Sequence, residues 1–193
     1  MNHPLLCVPA GDRKAFHPLF QNASGTIARA CLEGCMGSLY ADSMEHPHCA
    51  AAIAGDFVYL AGDASHPAAA QLIQRLQGMH RALAIPLSEG WKRLLDAASI
   101  PFQPFQRHAF SHDTGGFNRA RLTAYTQNLP AGCNLRRMDA AAYRLAMWED
   151  WSRDLCVNFA GEEDFLQNGL GFCIWKDGRC KRRRFLHLVF GRL

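Results

Sequence analysis

A chain of 193 residues, 49% hydrophobic and 20% charged, can bury a core in one ordinary domain or two small ones, and no stretch of it approaches the roughly 18 apolar residues that a membrane-spanning helix needs. The net charge of +4 is unevenly held: residues 179–193 contain six Lys/Arg and no acid, so the remainder is slightly acidic. That distribution argues against a nucleic-acid binder, which spreads its cations over a groove or a helix face.

The N-terminal stretch MNHPLLCVPA has no basic region and only a short apolar run, which argues against a secretory signal and makes a cytoplasmic location the expectation. Residues 17–34 begin irregular and turn helical, ending at Gly34. MGSLYAD (36–42) and CAAAIAGDFVYLAGD (49–63), with its Gly55-Asp56 break, predict three short strands. Phe57 to Ala61 are apolar at every position, which predicts a strand buried on both faces. SHPAAAQLIQRLQG (65–78) predicts a helix capped by Ser65, with Pro67 in its first turn and Gly78 at its end, burying Ala69, Leu72, Ile73 and Leu76. ALAIPL (82–87) predicts a strand, and Ser88-Glu89-Gly90 opens a helix over 89–99 with Trp91, Leu94 and Leu95 on one side. FQPFQRHAFSH (102–112) reads as an extended edge segment, because Pro104 cannot donate to a ladder. DTGGF is a turn, and NRARLTAYTQNLP (118–130) a helix closed before Pro130.

After Pro130-Ala131-Gly132, CNLRRMD (133–139) predicts a strand. Asp139 caps a helix through AAAYRLAMWEDWSRDL, with Tyr143, Met147, Trp151 and Leu155 at four-residue spacing. NFAGEEDFLQNG (158–169) predicts a second, short helix; Glu162, Glu163 and Asp164 favour its N-terminal dipole, and Gly169 is expected as a left-handed C-cap. FCIW, an Asp177-Gly178 turn and a return strand from Arg179 predict a hairpin. From residue 133 the order is strand, helix, helix, strand, turn, strand.

The eight cysteines include no C-x-x-C pair. The nearest approach to a metal cluster is Cys31, Cys35, His46, His48 and Cys49. Zinc accepts these ligand types, but C-x3-C followed by H-x-H-C matches no standard spacing. Reduced core thiols are therefore expected, with no disulfide framework and no metal site assigned. His46, His48 and His66 fall in turn-rich segments and read as loop histidines. Asp42, Asp56 and Asp63 stand at strand ends, where Asp bonds its own backbone; one of them could line an amine-binding cleft, and nothing selects which. Trp148 and Trp151 read as core residues of a helix face. His108 and His112 share an i, i+4 spacing, but Pro104 and Gly115-Gly116 argue against the helix that a metal pair would need. No Ser-His-Asp or Cys-His arrangement has a local signature, so no catalytic residue is assigned.

The element order from 133, with NLRRMD, EDFLQNGLGFCIWKDG and the preceding GDFVYLAGD, resembles the GNAT acetyltransferases. More narrowly it resembles the two-part subgroup that includes zwittermicin-resistance-type proteins, in which an N-terminal α/β domain precedes the acetyltransferase domain. The resemblance covers about residues 30–180 and is most specific in DFLQNGLGFCIWKDG. It implies an α/β (α+β) fold, with an N-terminal domain over 1–130 and the first half of a GNAT-like domain (β-α-α-β-β) over 131–193. The implied activity is acetyl transfer from acetyl-CoA to an amine by direct attack, with no covalent enzyme intermediate.

In that family the acetyl-CoA pyrophosphate sits on backbone N–H groups of an Arg/Gln-x-x-Gly-x-Gly/Ala loop at a helix N-terminus, where the helix end favours the anion. The nearest match, Arg75-Leu76-Gln77-Gly78-Met79-His80, closes a helix instead of opening one and ends in His. No cofactor-binding residue is therefore assigned, and the chain is expected to be C-terminally truncated and inactive alone. Lys181 to Arg184 point the same way. In a central strand they would place two cations on each face, and unpaired buried charge is costly. A frame shift near Cys180, or a gene fragment, is the expectation for Lys181–Leu193, against a solvated basic edge strand. Two non-catalytic alternatives stand beside this: a module that pairs through an exposed sheet edge, and a nucleic-acid binder that uses the basic tail.

Overall fold

The computed structural model describes residues 4–79, 81–99, 102–107, 114–148, 150–157, 159–176, 179–180 and 186–187. The chain divides into two compact units, Met1–Gln106 and Arg107–Leu193.

In the first unit, strands β1 (Leu6–Val8), β2 (Ser38–Ala41), β3 (Cys49–Ala54), β4 (Phe57–Gly62) and β5 (Leu83–Pro86) lie side by side in that order. Neighbours among the first four are antiparallel. β5 instead runs parallel to β4, because helix α2 (Pro67–Leu76) intervenes between them, the crossover that parallel pairing requires. Helices α1 (Thr26–Leu32) and α3 (Glu89–Asp96) complete the unit, with a 3-10 helix over Ala10–Phe20.

Successive strand residues face opposite sides of the sheet, and both sides are covered. Ala50, Ala52, Tyr59 and Ala61 pack with Phe16, Phe20, Cys31 and Leu32. Cys49, Ala51, Val58 and Leu60 pack with Leu72, Ile73, Leu76, Trp91 and Leu95. The two-sided burial expected for Phe57 to Ala61 is thus present, and the four α2 residues expected inside are buried. On the first side the guanidinium of Arg13, itself buried, donates from Nε to Val8 O (3.1 Å). Its Nη1 faces Met36 O (3.2 Å), Gly37 O (3.1 Å) and Cys31 O (3.4 Å). One cation thereby ties the 3-10 helix to β1, to α1 and to the turn before β2.

The α2 cap is a correction. Ser65 is occupied by Asp63, whose Oδ1 accepts from Ser65 N (2.8 Å) and Oγ (2.7 Å). The cap is His66, whose Nδ1 accepts from Ala68 N–H. In α3, Ser88 Oγ accepts from Trp91 N–H, as an N-cap hydroxyl does. The fully buried indole of Trp91 donates to Gly62 O at 3.0 Å. Residues 102–107 form no regular element, and His108 and His112 lie outside the described residues.

The second unit contains α4 (Arg119–Gln127), β6 (Cys133–Arg137), α5 (Ala140–Trp148), α6 (Asp150–Cys156), α7 (Glu162–Asn168), β7 (Phe172–Lys176), β8 (Arg179–Cys180) and β9 (Leu186–His187). β7 pairs antiparallel with β6 on one side and with both β8 and β9 on the other. Asp139 Oδ1 accepts from Ala142 N–H, the cap expected for α5. The helix expected beyond it is described as α5 and α6, with residue 149 between them outside the described residues. Helices and sheet meet in a small core of Met138, Ala142, Tyr143, Ala146, Cys156, Phe165 and Cys173. Tyr143 and Phe165 lie with ring centroids 4.9 Å apart.

Two expectations fail here. Trp148 is 79% exposed, not core; the helix face that closes on Phe165 is that of Ala142, Tyr143 and Ala146, and Trp148 lies off it. Gly169 ends α7 in extended backbone (φ −99°, ψ 158°), not in the left-handed region. The side chain of Trp151, the Asp177-Gly178 turn and Lys181 to Arg184 lie outside the described residues.

Candidate functional site

The ladder β2–β3–β4 places one end of three strands together. Ala41 is opposite Ala50 and Cys49 is opposite Gly62, so Asp42, His48 and the Asp63–His66 turn come to the same end of the sheet. Asp42 is the organising residue. Its side chain is only 4% exposed, and its Oδ1 accepts from the backbone N–H groups of His48 and Cys49, both at 2.9 Å. Oδ2 is left facing two imidazoles: His48 Nδ1 at 2.9 Å and His66 Nδ1 at 3.9 Å. The two rings stack with centroids 4.6 Å apart and 2° between planes. The thiol of Cys49 lies 4.0 Å from His66 Nδ1.

Burial by itself would raise the Asp42 carboxyl. Hydrogen bonds from Cys49 N–H, the His48 ring and His48 N–H outweigh it and hold the group below the usual carboxylate range. The opposite holds for Cys49, where burial, reinforced by the negative charges of Asp42 and Asp63, pushes the thiol up to about 12. Such a thiol is not a nucleophile at neutral pH. Asp42 and Cys49 also both face the same nitrogen of His66, which rules out a relay through its ring. The arrangement can instead hold a cation beside His48, whose side chain is 58% exposed.

The sequence-named residues thus sort clearly. Asp42, His48, His66 and Cys49 converge, although each reads singly as a loop or core residue. Asp63 stands beside them but turns to Ser65. His46 is exposed and engages Ser43 through its backbone. Cys31 cannot join Cys49, because the two belong to opposite sides of the sheet; its thiol donates to Ser38 O. Arg75 lies with its guanidinium 3.6 Å from the ring centroid of Tyr40, along a shallow groove of about 510 Å3 shared with Ile53 and Gly78. Gly78 follows the end of α2, so this segment does not supply the phosphate loop. The capped helices among the described residues open after Gly25, His66, Ser88, Asn118, Asp139 and Gly161, and none of these follows the Arg/Gln-x-x-Gly-x-Gly/Ala pattern. The described residues therefore do not fit the family's pyrophosphate site. No helix among them is long and apolar enough to cross a membrane.

Comparison with known proteins bears on both units. The family model for GNAT acetyltransferase matches residues 17–180. The crystal structure of a GCN5-related N-acetyltransferase-like protein from Streptococcus suis 89/1591 is similar, with a TM-score of 0.73 and 29% identity, covering 90% of this chain and 69% of that one. No curated protein matches significantly. The mixed sheet with flanking helices agrees with that neighbour's fold. With the family pattern extending from the 3-10 helix to β8, the chain belongs to the GNAT acetyltransferase family.

Proposed function

We propose that this chain serves acetyl transfer from acetyl-CoA to an amine, by direct attack of the amine on the thioester, within the two-part subgroup in which an α/β domain precedes the acetyltransferase domain. The observation that carries the reading is the family match over residues 17–180. The β6–α5–α6–α7–β7–β8 order of the second unit supports it. The domain boundary belongs to the same proposal: the sequence reading puts it at 130/131, and α4 (Arg119–Gln127) falls in the second compact unit.

Two features support a chain that needs further residues to hold acetyl-CoA. No pyrophosphate loop occurs among the described residues, and the chain covers 69% of the related crystal structure. On this reading the 193 residues alone are inactive, in a cytoplasmic setting suited to reduced thiols. The test is calorimetric titration of acetyl-CoA together with CoA release over a panel of amines. It is run on this chain and on the product of any reading frame that extends the gene past codon 180 into such a loop. Turnover by the extended product alone is the expected result. Turnover by the 193-residue chain would sink the incomplete-site reading, and turnover by neither would sink acetyl transfer.

A second reading has one observation in its favour. Among the described residues β6 ends its sheet order, and its residues from Asn134 to Arg137 are all exposed. An unpaired edge of this kind recruits another strand, so the chain would self-associate. Sedimentation of the purified chain as a monomer at every accessible concentration would remove this reading.

A further inference from the structure

We infer that Asp42, His48, His66 and Cys49 form a binding site for one Zn2+ ion, independent of acetyl transfer. Carboxylate and imidazole donors of the first three lie within 4.8 Å of one another, and Cys49 Sγ stands 4.0 Å from His66 Nδ1. A tetrahedral zinc with bonds of about 2.0–2.3 Å separates its donors by roughly 3.3–3.6 Å. The separations here, 2.9 Å, 3.9 Å and 4.0 Å, bracket that range. The donor chemistry selects the ion. Two imidazoles, one carboxylate and one sulfur suit zinc, whereas magnesium and calcium want oxygens alone.

The cradle is built before any ion arrives. Two backbone amides hold Oδ1 of the buried Asp42 carboxylate, which fixes the direction of Oδ2. This outer-shell support orients a metal ligand in advance. One adjustment is needed. Parallel rings cannot both aim an in-plane lone pair at a common ion, so one must turn. His48, 58% exposed, has the room to do so, and the same exposure gives the ion a way in. His66 keeps its place at the start of α2. Its bond from Ala68 N–H is long, at 3.4 Å, and the ion would take over that lone pair. Bound zinc would then pin the β2–β3 loop, the start of β3 and the β4–α2 turn together, adding to the backbone bonds from Asp42 N to Cys49 O and from Asp63 N to His48 O.

The experiment is titration of the chelator-treated full chain with Zn2+ against a chromogenic competitor, repeated with Co2+ for its spectrum. One equivalent should bind. His48→Ala, an exposed position that leaves the core intact, should weaken binding by at least about tenfold. Cys49→Ser should remove the thiolate-to-cobalt charge-transfer band. Thermal unfolding of wild type and both variants without metal checks that each is folded. No stoichiometric binding, or binding that survives both His48→Ala and Cys49→Ser because other cysteines hold the ion, would overturn the site.

Discussion

Asp42 accepts directly from the backbone N–H of Cys49, yet the protonation behaviour of their side chains runs in opposite directions for one reason. Both are taken out of water, but only the carboxylate is given donors. Its value in the folded state lies below the usual carboxylate value of about 3.9. The sign follows: Asp42 contributes stability above that ordinary value and loses it as pH falls through the lowered one. Asp42→Asn should therefore flatten the acid limb of a urea-stability profile while lowering stability at neutral pH. An unchanged acid limb would remove Asp42 as its source. For the thiols, burial pushes Cys31 up to about 11, against the opposing charge of Arg13, and Cys156 also to about 11. With Cys49 at about 12, all three should resist iodoacetamide at neutral pH until the chain unfolds, because the thiolate is the reactive form. Cys7, exposed on β1, should react at once. Peptide mapping of the alkylated sites reads this out, and alkylation of Cys49 as fast as Cys7 would contradict its burial. At this scale the sequence announced residue types and little more. His48 and His46 look alike in MEHPHC, and only the Asp42 hydrogen bonds separate them.

Elements were more legible. Alternation and apolar runs located β2, β3 and β4 to within a residue or two, and the 3.6-residue stripe picked out the buried side of α2, because these patterns are local consequences of burying one side of a strand or helix. Caps were less so. Ser65 looks like an N-cap, but Asp63 claims it and the role passes to His66. Gly169 looks like a left-handed C-cap, yet it is needed for a different reason: an added Cβ would meet Phe165 O at 2.6 Å. Gly62 joins both kinds of constraint at the end of β4. Its φ is +83°, and a Cβ would collide with the carbonyl oxygen of His48. Gly62→Ala should thus cost roughly 1–3 kcal/mol or more in chemical denaturation. It should also displace the His48 backbone, visible as a loss of the Asp42–His48 contact. A variant as stable as wild type would show that the strand end gives way freely.

The two units differ in how completely they are closed. In the first, a five-stranded sheet carries a core on each side. In the second, the described residues form one small core, under a sheet whose β6 is exposed from Asn134 to Arg137. Burial of apolar area is the main stabilising quantity, so residues 1–106 expressed alone should melt cooperatively near the temperature of the full chain's main transition. Residues 107–193 alone should melt earlier and less cooperatively. Circular dichroism on the two fragments checks this; the reverse order would mean that the first unit depends on the second.

Periodicity and turn chemistry were sufficient for most elements, since each is written in near neighbours along the chain, and the stretches NLRRMD, EDFLQNGLGFCIWKDG and GDFVYLAGD carried the family resemblance and the fold class it implies. The charged tail was equally plain there. What needed the tertiary structure was the meeting of Asp42, His48, Cys49 and His66. Their positions span 25 residues and carry no motif spacing. They come together only because antiparallel register sets Ala41 against Ala50 and Cys49 against Gly62, and register is a property of paired strands that no single strand contains. The exposure of Trp148 had the same origin, for which face of a helix is inside depends on what packs against it.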